Sequence, residues 1–309
     1  MLTISNNWRK IGGAVMARFG DAERRILSYF EKGTKIIYKN KEYEIVEAGK
    51  PTCPYGEPKT DIYVLVENAF NTEEIKISYK QENADFLENK TNAERAEQLF
   101  GEDWRWVIER STYAVKEQFE ERARIYKEAF RRTEKGSITL GWKFELLNKP
   151  AGDLSGRMNL TKQQIYDVYA GTNLSADKKN AFVNGRIVYN SGIADYILVT
   201  DYVNSAQDII EQMIPISEYI EMHPDIYFAC KALNYRTYAS KYDGNRPLAV
   251  QVAWRVNDGK LASDIVYEYP LEMNGTEMAN RLLHCLKYLS IETTDDIDED
   301  NADMSHVYE

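Results

Sequence analysis

Histidine is nearly absent from this chain of 309 residues, which holds only His223, His284 and His306. That leaves little for a histidine-based metal centre or a histidine-activated nucleophile. Cysteine is equally scarce: Cys53, Cys230 and Cys285 are scattered and odd in number. They form neither a disulfide framework nor a zinc pattern, and they suit a reducing cytoplasm. No apolar run approaches the length that crosses a bilayer, and the stretch Met1–Asn7 lacks the apolar core of a signal peptide, so no membrane partner is expected. The chain has no Gly-x₄-Gly-Lys-Ser/Thr, no Gly-x-Gly-x-x-Gly after a strand, no His-Glu-x-x-His and no Cys-x-x-Cys, so no nucleotide cofactor is expected either. There is no internal repeat.

What remains is an ordinary globular composition, 43% hydrophobic and 28% charged, over a length that suits one large domain or two modest ones. The net charge of −10 looks unfavourable to nucleic acid. Eight acidic residues, however, fall in the tail from Glu292 to Glu309, which has no Lys or Arg. Binding to a phosphate backbone depends on where positive charge clusters, not on the total.

In chain order, residues 12–31 read as an amphipathic helix carrying Glu23, and Gly33 stops it. Lys35–Tyr38 and Tyr43–Val46 flank a polar turn as a hairpin. A Gly/Pro-rich loop over 49–58 then delivers the chain to a second strand pair, 61–66 and 74–80, across Glu67–Glu73. Residues 91–132 read as helix, broken around Gly101. Beyond Gly136 the pattern is mixed: a helix near 161–169, a buried strand Tyr196–Val199, a polar basic segment 231–246, a hairpin over 248–269 and a closing helix 275–289. The acidic tail reads as disordered.

The second strand pair carries the chemistry. Glu74, Lys76, Ser78 and Lys80 alternate with Ile75, Ile77 and Tyr79, so one face of a strand presents a carboxylate, two ammoniums and a hydroxyl. Asp61 lies at the mouth of the neighbouring strand. Two carboxylates at adjacent strands can hold Mg²⁺, a hard cation that prefers oxygen and keeps several waters. The ion lowers the pKa of a bound water and offsets phosphate charge, while a lysine orients that water. Asp61 and Glu74 are the expected metal ligands and Lys76 the catalytic base or electrostatic partner.

The sequence Pro58-Lys59-Thr60-Asp61 followed by Glu74-Ile75-Lys76 resembles the PD-(D/E)XK signature of restriction-endonuclease-like nucleases. The wider pattern, Gly56-x-Pro-Lys-Thr-Asp with Ser78-x-Lys80 downstream, is similar to type II restriction enzymes. The likeness spans roughly residues 12–135 and includes the helix, hairpin and downstream helix of an αβββαβ order. Ser78-x-Lys80 offers a second register in which Lys80, not Lys76, is the catalytic lysine. The Glu74/Lys76 register is preferred because it supplies its own second carboxylate, and Lys80 then becomes a phosphate contact. By the same resemblance, Glu23 is expected as a further, helix-borne carboxylate near the metal.

The resemblance implies an α/β protein with a mixed β-sheet core flanked by helices. The expected nuclease core is 1–135, with an α+β DNA-contact region over 136–291 and a disordered tail over 292–309. The expected activity is Mg²⁺-dependent cleavage of double-stranded DNA at a short specific sequence. Lys59, Ser78, Lys80, Arg236 and Lys241 are candidate DNA contacts, the last two from a basic segment interleaved with tyrosines. Whether a homodimer is needed to cut both strands stays open. Two other readings stand beside this one: a catalytically silent DNA-binding or assembly protein on the same fold, favoured if Asp61 and Glu74 fail to converge, and a structure-specific or defence nuclease without sequence choice.

Overall fold

The alternation over residues 35–80 needs a covered apolar face, and the computed structural model, which describes residues 20–309, supplies one. The chain divides into two compact units, residues 1–84 with 165–224 and residues 85–164 with 225–309. The boundaries expected at 135/136 and 291/292 are not observed. Among the described residues no helix is long and apolar enough to cross a membrane.

In the first unit, helix α1 (20–28) falls within the helix expected over 12–31; residues 12–19 lie outside the described residues, and the chain leaves the helix at Tyr29, earlier than expected. Four antiparallel strands follow: β1 (Lys35–Tyr38), β2 (Lys41–Gly49), β3 (Ile62–Glu67) and β4 (Thr72–Lys80). Helix α2 (Lys162–Ala170) returns the chain to this unit, and β5 (Tyr196–Val199) then pairs parallel with β4. Helix α3 (Ala206–Gln212) and the short edge strand β6 (Ile214–Pro215) complete a mixed sheet of order β1-β2-β3-β4-β5-β6. Between the antiparallel strands and the parallel one, this unit contributes α2 and the one-turn helix Ala176–Lys179, not the 91–132 region. Parallel strands need a long crossover, and here it includes the whole stretch 85–164.

One face of this sheet is apolar. Ile62, Val64 and Val66 of β3 and Ile75, Ile77 and Tyr79 of β4 pack with Ile26 of α1 and Ile209 of α3. Ile26, Val64 and Ile77 are fully buried, each burial worth about 1.5–3 kcal/mol. The other face therefore receives the opposite parity: Asp61, Tyr63 and Leu65 beside Ser78, Lys76 and Glu74. Tyr63 and Leu65 are covered there by Val183 and Val188.

The second unit is built on the long strand Ser137–Leu147, antiparallel to Tyr227–Arg236 on one side and to Val250–Asn257 on the other. Its core stacks Phe144 on Phe228 with centroids 5.4 Å apart and sets Phe119 edge-on to Trp142 at 4.9 Å. Gly141 (φ 146°) permits the close strand crossing, since a Cβ there would sit 2.5 Å from the Val250 carbonyl oxygen. Residues 91–132 form helices Ala93–Phe100, Trp104–Tyr113 and Lys116–Glu120 before turning into the short strand Ile125–Tyr126.

Two expectations are corrected here. The polar basic segment 231–246 lies in the sheet: its first part belongs to the strand Tyr227–Arg236, which turns through Thr237–Ala239 into Lys241–Tyr242, so the strand expected over 225–230 runs on to Arg236. The tail 292–309 is folded. Val307 and Tyr308 pair parallel with Ile125 and Tyr126, and Ile297 and Ala302 are buried. Its acids are spent on the backbone: Asp296 accepts the amides of Glu292 and Thr293, and Asp303 that of Ser305. Those amide bonds hold the Asp296 carboxyl below the usual range.

Candidate active site

The loop ahead of β3 is fixed by Gly192, whose carbonyl accepts the amides of Lys59 (2.9 Å) and Thr60 (3.2 Å). A side chain at Gly192 would collide with the Lys178 carbonyl, so only glycine lets these segments meet. The Asp61 amide then bonds the Ile77 carbonyl at 2.9 Å, continuing the β3–β4 ladder by one residue. With Ile62 opposite Ile77, Asp61 falls beside Ser78. Its Oδ2 accepts the Tyr79 amide at 2.7 Å and the Ser78 hydroxyl at 3.4 Å. Among the described residues, Oδ1 accepts no hydrogen bond.

Asp61 is half-buried, with Oδ2 held against the β4 backbone. Burial pushes that carboxyl above the usual range. The Lys80 ammonium pulls it down, the Glu23 carboxylate pushes it up, and the Tyr79 amide and Lys50 pull it down again, with the net direction upward. Glu23, on α1, pairs with Lys50 at the end of β2 at 2.5 Å. Desolvation would lower the Lys50 ammonium, but the bond to Glu23 and the charges of Glu23, Asp61 and Glu57 raise it overall. Glu23, Lys50 and Lys80 thus each act on the Asp61 carboxyl, which Ser78 also bonds, and these groups make up a charge cluster centred on Asp61.

Glu74 is not part of it. It is level with Leu65, four residues from Ser78, which is roughly 13 Å along the strand and too far to share one ion with Asp61. Its Oε1 accepts the Tyr63 hydroxyl at 2.8 Å. The Tyr63 phenol is raised, first by burial and then by this bond and the Glu74 charge. Lys76 is also committed elsewhere: its Nζ lies 3.2 Å from Asp195 Oδ2 and 3.4 Å from the Asn190 carbonyl, and its side chain is 12% exposed.

No protein-family model, curated protein or solved structure matches this chain.

The candidate DNA contacts divide similarly. Lys80 belongs to the cluster. Ser78 is buried against Asp61 and cannot meet a phosphate from there, and Lys59 is buried as well. Arg236 lies in the second unit, paired with Glu134 (2.6 Å) and Asp243 (2.8 Å), so its charge is already balanced. Lys241, opposite it, is exposed. Lys231 bonds buried Glu145 at 2.6 Å. Lys50 and Gly192 were not singled out from the sequence. Lys50 follows a strand that ends where Asp61 begins, which is a usable signal, whereas nothing local marks Gly192.

The residues fit a magnesium ion held lightly. Among the described residues no three His, Cys, Asp or Glu side chains form a metal-holding group. Mg²⁺ is commonly held by one or two carboxylates, with waters and a substrate phosphate completing its shell. A carboxylate with one oxygen tied to the backbone and the other unbonded, which feels the charge of a second carboxylate, Glu23, is compatible with that donor set.

Proposed function

We propose that this chain is a Mg²⁺-dependent endonuclease that hydrolyses double-stranded DNA, at a short specific sequence in the manner of type II restriction enzymes. In this reading a restriction-endonuclease-like core comprises 20–84 and 165–224. The observation that carries the proposal is Asp61 pinned beside Ser78-x-Lys80, with Glu23 and Lys50 acting on the same carboxylate. The lysine register is then Asp61 with Lys80, and the second carboxylate comes from α1.

Asp61 and Glu23 would hold the metal, which supplies an acidified water and offsets phosphate charge when bound. The Tyr79 amide and Ser78 hydroxyl keep the Asp61 carboxylate in one orientation. Lys80 places a positive charge where the attacked phosphate gains negative charge, a contribution that works best when pre-organised. Lys50 screens the two carboxylates from each other.

A silent DNA-binding or assembly protein on the same fold is the second reading. It is favoured by the separation of Asp61 from Glu74 and by a serine, not an acid, beside Asp61. Plasmid digestion in Mg²⁺ and in EDTA separates the two. Discrete Mg²⁺-dependent fragments, lost in Asp61→Ala and Lys80→Ala, support the restriction-type nuclease, whereas a smear supports a nuclease without sequence choice. Intact plasmid across diverse, methylated and branched substrates would hand the chain to the silent reading.

A further inference from the structure

The second unit contains an open cavity of about 450 Å³ whose lining has nothing to do with the charge cluster on β3 and β4. Tyr126, Phe130 and Tyr308 form an aromatic wall, with Tyr308 4.8 Å from Phe130 and 6.1 Å from Tyr126, centroid to centroid. Across it, Arg122 and Arg131 both reach Asp153 Oδ2, at 3.2 and 3.3 Å. The Arg131 guanidinium also lies over the Phe130 ring at 5.2 Å, and its backbone takes a left-handed conformation (φ 53°) to do so. The buried Arg122 Nε has no hydrogen-bond partner among the described residues.

This lining selects a ligand class. With Glu121 also on the rim, two guanidiniums face two carboxylates, so the site has no net attraction for a phosphate or another simple anion. Rings on one side, tilted 41–50° to Tyr308, and guanidinium donors with a carboxylate acceptor on the other suit a flat heteroaromatic ring that stacks on one of them and hydrogen-bonds at its edge. Guanidinium donors match ring nitrogens and carbonyls, and a carboxylate accepts from an exocyclic amine. We infer that this cavity receives a nucleobase. Its expected source, an extrahelical base of bound DNA, rests on the nuclease reading; a free nucleotide presents the same ring. The folded C-terminus thereby gains a role, since Tyr308 forms part of the wall.

The test uses the full chain in EDTA, where no cutting confuses the readout. The probes are the four deoxynucleoside monophosphates taken singly, a flush duplex, and the same duplex with one bulged 2-aminopurine. The bulged duplex is expected to bind more tightly than the flush one, with its emission quenched by stacking. Phe130→Ala and Asp153→Ala should each remove about tenfold of that preference, the scale of one lost stacking or edge contact. Asp153 is largely exposed, so its variant should fold even if the Phe130 variant does not. Tighter binding of a monophosphate than of the bulged base, sensitive to the same variants, keeps the site and assigns it to free nucleotides. No preference and no monophosphate binding, or a preference unchanged in both variants, overturns the inference. Plasmid cleavage is scored separately: a chain that cuts but ignores the bulged base loses this site alone, and one that binds the base but never cuts loses only the nuclease reading.

Discussion

Asp61→Asn should make this protein more stable at neutral pH, although it removes the residue on which the proposed activity depends. The half-buried Asp61 carboxyl has its folded pKa raised, by burial first and by the Glu23 charge, against the pull of Lys80, the Tyr79 amide and Lys50. A carboxyl raised on folding favours the folded state fully only while protonated. That contribution is present below the unfolded value, near 3.8, and is lost as pH rises through the higher folded value. Asparagine cannot ionise, so it avoids the penalty at pH 7, and its carbonyl can still accept the Tyr79 amide now bonded at 2.7 Å. Asp61→Ala avoids the same penalty but deletes the acceptor for that amide and for the Ser78 hydroxyl, a loss of about 1–3 kcal/mol. The predicted order at pH 7 without divalent metal is therefore Asn above wild type, with Ala below Asn by that amount. Wild type and Asn should converge as pH falls towards 3.8. Urea unfolding at several pH values in EDTA measures both gaps. An Asn variant no more stable than wild type at pH 7, or a gap that does not change with pH, would refute the assignment of Asp61 as an electrostatically strained site.

Mg²⁺ at ten times its dissociation constant should stabilise the wild type by about 1.4 kcal/mol and raise its melting temperature by about 3–6 °C; the shift should vanish in Asp61→Asn, and an equal shift there would place the ion elsewhere. Lys80→Ala should cut the cleavage rate by at least about 100-fold. Lys76→Ala should keep it within about tenfold, since Lys76 is bound to half-exposed Asp195, a pair worth about 0–1 kcal/mol; initial rates that fall in the reverse order would restore the Glu74/Lys76 register. Gly192→Ala should destabilise by about 1–3 kcal/mol and depress cleavage through displacement of residues 59–61, because its new methyl collides with the Lys178 carbonyl; thermal melts and rates unchanged from wild type would dismiss Gly192 as a positioning residue. Removal of residues 292–309 should cost more than the about 1.5–3 kcal/mol of burying Ile297 alone, measured by denaturant unfolding, whereas a dispensable tail would leave stability unchanged.

Local signals carried much of this fold. Ile75, Ile77 and Tyr79 alternate with polar residues because one face of β4 meets α1 and α3, so periodicity alone finds both the strand and its buried side. Tyr196–Val199 is an uninterrupted apolar run because Ile197 and Leu198, which point to opposite faces of the parallel strand, are both buried. The unit boundaries were not legible, because a crossover that carries 80 residues between β4 and α2 leaves no composition break at 84 or 164. Nor was the order in the tail: its charge suggested disorder, but acids that cap amides and a few well-spaced apolar residues make it part of the second unit.

The misplaced partner of Asp61 has a narrower cause. Glu74, Lys76, Ser78 and Lys80 share one parity, so period-2 reasoning places all four on the Asp61 face and cannot rank them. Register along the hairpin is decided by its turn. Glu67 pairs with Thr72 around a four-residue loop in which the Asn68 carboxamide accepts the amides of Phe70 (2.9 Å) and Asn71 (3.0 Å). Counting back from that closure, each β3 residue and its β4 partner are fixed, and Asp61 can lie only beside Ser78. A turn spanning Glu67–Glu73, as the motif alone suggests, is looser than the four-residue closure and leaves the ladder position of Asp61 unset. Asn68 was the signal for the tighter turn, since an Asn whose side chain bonds two residues on is a turn initiator. A register read from that asparagine would have set Asp61 beside Ser78-x-Lys80 without the structure. It would also have left the second carboxylate to be found off the strand pair, where Glu23 stands on α1 paired with Lys50.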